Sequence, residues 1–287
     1  MDYFVFLLDH RTTDDSEEAI RSILGDSSDS DSDSGSSSGG GSGVPYKIFY
    51  HEFGGFGPAR TRSLRHAWTS FPQATHVWIA DPDWKVDPNI PIQKNDLDLI
   101  HDAFRFVIYD RNGVTTRRCD WLLRHREGLG MRYNLHEVLD IGMYNYTTVP
   151  WVVHEIEQVG SWHTTVGHTD SFSAKRMQFD LDLLYKDLEI YGHDPHTHKY
   201  LGVTHMGYAE KVFESNGNVI TDEISDHIEK GTYFLELRLN STYKDEFPEE
   251  RWQAFVQLGA VAMNLKVRFD QLLLQDTAKY FVCSVIP

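Results

Sequence analysis

The stretch His76 to Asp87, HVWIADPDWKVD, sets two carboxylates one residue apart at the end of an apolar run. Residues at i and i+2 of an extended segment share a face. If strand geometry persists through Pro82, Asp81 and Asp83 can converge on one hard divalent cation. Oxygen ligands and a cation of that kind suit a metal-bound diphosphate. The same residues also suit an acidic turn, since Asp and Pro are common turn formers.

Other chemistry-bearing residues are spread along the chain. Arg60, Arg62 and Arg65 fall in the first turns of an expected helix, where positive charge opposes the dipole and an anion would compensate. The preceding GGFG would let backbone approach a phosphate, although it is not a Walker loop and serves equally as a tight turn. Two His-Glu pairs occur, His136-Glu137 and His154-Glu155, but Asp140 and Gln158 stand where a zincin needs its second histidine. Histidines crowd the region from His163 to His205. Among them, His196 and His198 read better as part of a helix start, with Asp194 as cap and Pro195 in the first turn, than as a metal pair. Cys119 and Cys283 have neither disulfide-framework nor zinc spacing.

The elements that must position these groups follow an α/β order. Tyr3 to Leu8 reads as a fully buried strand, Ser16 to Leu24 as a helix, and Tyr46 to Tyr50 as a second strand. A helix near Arg60 to Phe71 comes next, then the strand carrying Asp81, a helix from about Asn95 to Ala103, and a strand over Phe104 to Tyr109. Arg111-Asn112-Gly113 marks a hairpin turn. Residues 26–43 are Ser, Asp and Gly without an apolar side chain, and read as a disordered insertion in a domain over 1–172. From Ser173 the pattern turns helical, with expected helices at Ser173 to Gly192, Pro195 to Glu214, Thr221 to Asn240 and Pro248 to Phe269. Helix pairs of this kind suggest tetratricopeptide-like repeats of about 34 residues over 173–287, with an ordinary bundle as the other arrangement.

Composition narrows the partners. With 287 residues and 40% hydrophobic content the chain can bury a substantial core, and its net charge of −16 argues against nucleic acid or an anionic membrane as partner. No run reaches the roughly 20 apolar residues of a transmembrane span, no targeting signal is legible, and a cytoplasmic location is expected.

Taken in order, these segments resemble the family 2-like glycosyltransferases of GT-A fold that carry a C-terminal tetratricopeptide extension. Leu8 to Asp15 is similar to a strand running into a D-T-G-S-T-D-N-T loop, and Phe56 to Arg60 to a loop leading into A-R-N. Ile79 to Trp84 resembles the strand ending in D-A-D-E, and Leu135-His136-Glu137 the V-H-E element. His168 with Lys175-Arg176 resembles the closing histidine and its basic helix. Only Met1 and Asp2 precede Tyr3, so the expectation is a truncated or divergent member.

The resemblance implies a GT-A-like, Rossmann-like mixed sheet flanked by helices, and sugar transfer from a nucleotide-sugar donor to a glycan, lipid or protein acceptor. It implies Mn²⁺ or Mg²⁺ held by Asp81 and Asp83, with His168 as third ligand. Asp9 would contact the nucleotide base or ribose, Arg60 the phosphates, and Asp81 the donor through the metal. Glu137 is the expected catalytic base, with Glu155 in reserve. The alternative is a non-catalytic scaffold that keeps a degenerate transferase domain and binds a protein partner through its helices.

Overall fold

The computed structural model describes residues 3–25, 44–81, 84–90, 93–109, 115–140, 145–155, 173–241 and 248–269. The chain divides into two compact units, Met1–Gly160 and Ser161–Pro287. The insertion at 26–43 and the hairpin turn at Arg111-Asn112-Gly113 lie outside the described residues.

The first unit is mixed α/β. Strand β1 (Phe4–Asp9) pairs in parallel with β2 (Tyr46–His51), in a register running from Phe4 opposite Tyr46 to Asp9 opposite His51. Helices α1 (Ser16–Leu24) and α2 (Phe56–Ser70) follow the two strands. The second sheet is five-stranded, in the order β3-β6-β5-β9-β4. Its strands are β3 (His76–Trp78), β4 (Trp84–Val86), β5 (Ala103–Tyr109), β6 (Thr115–Arg124) and β9 (Tyr146–Glu155). A short hairpin, β7 (Met131–Arg132) with β8 (Val138–Leu139), completes the unit.

Alternation builds the core. Phe104, Phe106 and Ile108 occupy one face of β5, each fully shielded, and meet Cys119 and Leu122 of β6 and Val149, Trp151 and Val153 of β9. Trp78 and Trp84 both meet the Phe106 ring edge-on, at 5.9 and 5.8 Å between centroids. A second cluster joins Leu64 and Trp68 of α2 to Ala103, Leu123, Leu129 and Met131. Helix α2 therefore packs where β6 and the β7 hairpin meet. Buried Asp102 fastens the sheet's end, accepting from Arg124 Nη2 at 2.7 Å and from the Asn145 backbone N–H at 3.2 Å.

Three expectations need correction. Strand β1 is half-buried along its whole length rather than fully buried, because its sheet has two strands and is separate from the larger one among the described residues. Strand β3 ends at Trp78, short of the Asp81 it was expected to carry, and pairs antiparallel with β6. The expected helix over Asn95 to Ala103 is a 3-10 turn at Lys94–Asp96 that leads into β5. There Asp98 accepts from the backbone N–H groups of Ile100 and His101, both at 2.8 Å, and Asp96 accepts from Trp151 Nε1 at 2.7 Å. Such local side-chain bonds compete with a helix.

The second unit is helical: α3 (Ala174–Tyr191), α4 (Pro195–Ser215), α5 (Asp222–Asn240) and α6 (Pro248–Phe269). Caps written in the sequence start three of them. Ser173, Asp194 and Thr221 accept from the N–H groups of Arg176, Thr197 and Ile224, and Pro195 stands in the first turn of α4. Gly192 closes α3 at φ 68°. Helix α4 packs against α3, α5 and α6, and approaches α5 most closely where Gly202 faces Gly231 and Leu235.

Replacing Phe106 by Ala empties the middle of the sheet core. The expected loss is about 3–5 kcal/mol, measured by urea unfolding followed through tryptophan fluorescence, which Trp78 and Trp84 report directly.

Candidate functional site

Arg60 stands one turn into α2 and reaches two carboxylates. Its Nη1 donates to Asp81 Oδ1 at 2.8 Å, and its Nε donates to Glu137 Oε1. The three side chains are 17%, 23% and 7% exposed, so the cluster is largely withdrawn from water but open enough to be approached. The guanidinium lies over the Trp121 ring at 4.0 Å, and Trp121 stacks on Trp84 at 5.5 Å. A cation on an indole face at partial burial is worth about 0.5–2 kcal/mol. Burial works against the Arg60 charge, while Glu137 and Asp81 favour it; the net shift of its pKa is upward.

Three local features bring these residues together. The Ile79 N–H donates to the Trp121 carbonyl at 2.9 Å, which extends β3 alongside β6 and sets Asp81 close to the indole. The Trp84 N–H donates back to the Asp81 carbonyl at 3.1 Å, a turn-type bond. On the other side, the segment carrying Glu137 is pressed onto the start of α2. Phe56 N–H donates to the Asn134 carbonyl at 2.7 Å, and Met131 N–H donates to Thr61 Oγ1 at 2.8 Å.

The glycines of GGFG serve this contact. A Cβ on Gly57 would overlap the Tyr133 carbonyl oxygen, and one on Gly55, whose φ is 135°, would overlap the Asn134 side chain. The close approach expected there is to the protein's own chain, at Tyr133 and Asn134. Tyr133 and His136 have left-handed backbones, at φ 67° and 55°. Non-glycine residues in that region carry strain of order 1–3 kcal/mol, and here they bracket Asn134 and Leu135 and lead directly into Glu137.

Asp9 lies at the end of β1 in a different set of contacts. Arg11 grips its carboxylate through Nη2 at 2.6 Å and Nε at 3.0 Å, and holds it well below the usual carboxylate range, with the Phe53 N–H assisting. The loop from Phe53 leads into α2, so Asp9 borders the same end of that helix without joining the Arg60 cluster. Asp83 and His168 lie outside the described residues. Glu155 ends β9, opposite Trp84.

Among the described residues, no three His, Cys, Asp or Glu side chains gather into a metal-holding group. Asp81 contributes a hard oxygen donor of the type that Mn²⁺ and Mg²⁺ take, although one of its oxygens is on Arg60. A depression of about 680 Å³ lined by Asp14, Asp15, Glu17, Glu18 and Arg21 of the α1 region shares no residue with the cluster.

Sequence reading nominated Arg60, Asp81 and Glu137 but missed Trp121, Thr61 and Asn134. Trp121 shares β6 with the apolar pair Leu122 and Leu123, and that strand pattern is its one signal in the sequence. Thr61, directly after Arg60, carries no signal of its role in its residue type. No protein-family model matches the chain, and no curated protein matches it. Among the described residues, no helix is long and apolar enough to cross a membrane.

The close seat of α2 makes a paired test. Gly57→Ala forces the 131–137 segment away from α2 and is expected to cost about 1–3 kcal/mol, with a matching fall in thermal midpoint. Gly54→Ala, where a Cβ meets nothing within 4 Å, is expected to change the midpoint little.

Proposed function

We propose that the chain is a glycosyltransferase of GT-A kind, which binds a nucleotide-sugar donor at the Arg60 cluster and transfers the sugar to a glycan, lipid or protein acceptor. The observation that carries this reading is the convergence of Arg60, Asp81 and Glu137, three groups nominated for one reaction from distant places in the chain, onto one partly buried site. Open α/β sheets bind ligands outside the carboxyl ends of their strands. Asp9 stands at that end of β1, and Asp81 lies just past that end of β3.

In this reading Asp81 and Asp83, with His168 as third ligand, would hold Mn²⁺ or Mg²⁺, and the ion would supply charge neutralisation for a departing diphosphate. The chain's own groups do the rest. Arg60 turns from its carboxylates toward the diphosphate oxygens as a charge-assisted donor. Glu137, once released, accepts the acceptor hydroxyl's proton. Trp121 keeps the guanidinium plane in place during the exchange. Asp9 stays ionised under the influence of Arg11, fit to accept from a ribose hydroxyl or a base N–H.

A second reading, a partner-binding protein with a spent transferase unit, draws on α6. There Trp252, Phe255 and Val256 are 67%, 45% and 47% exposed, at positions that share one helix face. The tetratricopeptide-like arrangement belongs with this reading and with the family resemblance alike.

Calorimetry of the full chain with a panel of nucleoside diphosphates, with and without Mn²⁺, separates the two. The transferase reading expects Mn²⁺-dependent binding of one nucleotide, lost in Asp81→Ala with Asp83→Ala. It also expects binding weakened by about tenfold or more in Arg60→Gln, since charge-assisted bonds contribute roughly 1.5–3 kcal/mol. Absence of binding to any nucleotide, or binding indifferent to the metal and to these substitutions, sinks it.

A further inference from the structure

In two pairs the helical unit sets a buried imidazole against a more exposed one. In one, His205 of α4, only 2% exposed, faces His227 of α5 with 3.0 Å between their Nδ1 atoms. The other nitrogen of His205 is 2.8 Å from the Tyr185 hydroxyl of α3. In the second, His198 of α4, 4% exposed, faces His193 with 3.1 Å between Nε2 and Nδ1. Phe234 of α5 lies against both buried rings, parallel to His205 and tilted to His198, each at 6.0 Å.

A nitrogen-to-nitrogen hydrogen bond needs one donor and one acceptor. Neutral imidazoles supply both, since each ring carries one N–H and one lone pair. One added proton can be placed on the outer nitrogen of either ring. A second turns both facing nitrogens into donors and sets two positive charges side by side. Each pair therefore holds at most one extra proton while its nitrogen-to-nitrogen hydrogen bond lasts, whereas two free imidazoles take two.

The surroundings do little to offset this. Toward His205, α5 presents Asp226 and Lys230, which pair with each other at 2.7 Å, and α3 presents the neutral Tyr185. Toward His227 stand the stacked Tyr208 ring of α4 and Glu223 of α5, which accepts from the Tyr208 hydroxyl at 2.7 Å. Toward His198, α5 presents Arg238, whose charge repels a second cation, and the start of α4 presents Asp194, already engaged as the helix cap. From α6, Glu250 is 2.8 Å from His196 instead.

We infer that the His205–His227 and His193–His198 pairs make the helical unit acid-responsive, so that α4 loosens from α3 and α5 as the pH falls from neutral to about 5. Burial, with the neighbouring imidazole, pushes both His205 and His198 down to about 4. A free imidazole titrates near 6.5. Stability is therefore full above about pH 6.5, is lost as pH falls through the interval to about 4, and levels off below it. At pH 5 each buried histidine shifts the opening equilibrium by about thirtyfold, and the two together by roughly a thousandfold.

Hydrogen exchange of the full chain, read by mass spectrometry at pH 7.5 and pH 5 and corrected for intrinsic rates, tests this. Protection of peptides from 195–215 is expected to fall by roughly a thousandfold, while peptides covering Ala103–Tyr109 keep theirs. The double variant His198→Gln with His205→Gln is expected to lose most of the pH response. His227→Gln, at the more exposed partner, leaves the buried ring in place; it relieves repulsion on His205 and is expected to shrink the response without abolishing it. If the double variant does not fold, His227→Gln alone decides. Equal protection at the two pH values, equal loss in both units, or an unchanged response in the variants overturns the inference.

Discussion

A guanidinium group drawn out of water keeps its charge, so it has to bring its counter-charges with it. Arg60 does this with two carboxylates from different parts of the chain, and much of the first unit's local geometry serves that need. Helix α2 must start where it does so that Arg60 faces the end of β3. The 131–137 segment must lie against α2 so that Glu137 is in reach, and that contact requires glycine at 55 and 57 and two left-handed residues at 133 and 136. The indole of Trp121 covers the face of the guanidinium that the carboxylates leave open. Removing Arg60 would leave two carboxylates partly buried without their match, whereas removing either carboxylate leaves Arg60 paired with the other.

Strand-to-helix order was legible because periodicity and caps are local properties. The runs FVFLL, YKIFY and FRFVIY became strands, and Asp194-Pro195, Thr221 and Gly192 marked helix ends where the chain turns. Sheet partnership was not legible, since pairing is a long-range choice made by packing rather than by the strand itself. Nothing in HVW says that its neighbour is LLR of β6 rather than FVFLL of β1. The Asn95–Ala103 segment failed for a different reason. Its apolar spacing suits a helix, but Asp96 and Asp98 are spent on bonds that only the folded sheet and turn make available.

The site was legible to a similar depth. Charged residues that could do chemistry stand out by type, as Arg60 and Asp81 do, and Glu137 was nominated through the family resemblance; the residues that hold them do not stand out. Thr61 and Asn134 act through single hydrogen bonds across the α2 contact, and their chemistry is ordinary in a sequence. GGFG shows the converse, since glycine announces close approach without saying what approaches. Here it is the chain's own Tyr133 and Asn134.

The two units solve the problem of polar interiors with different side chains, and the choice has a chemical logic. Arginine cannot shed its proton, so its partial burial obliges permanent partners, and the first unit's cluster is built as a fixed set of charges. Histidine can enter a helical core neutral, bonded to another histidine, with no counter-ion at all. That is how α4 carries His198 and His205 on its buried surface, while His196 lies 2.8 Å from Glu250. The cost of the second solution appears only when protons become abundant. Under the proposed function the first is governed instead by the anion that competes for Arg60, so one interior would answer to a ligand and the other to acidity.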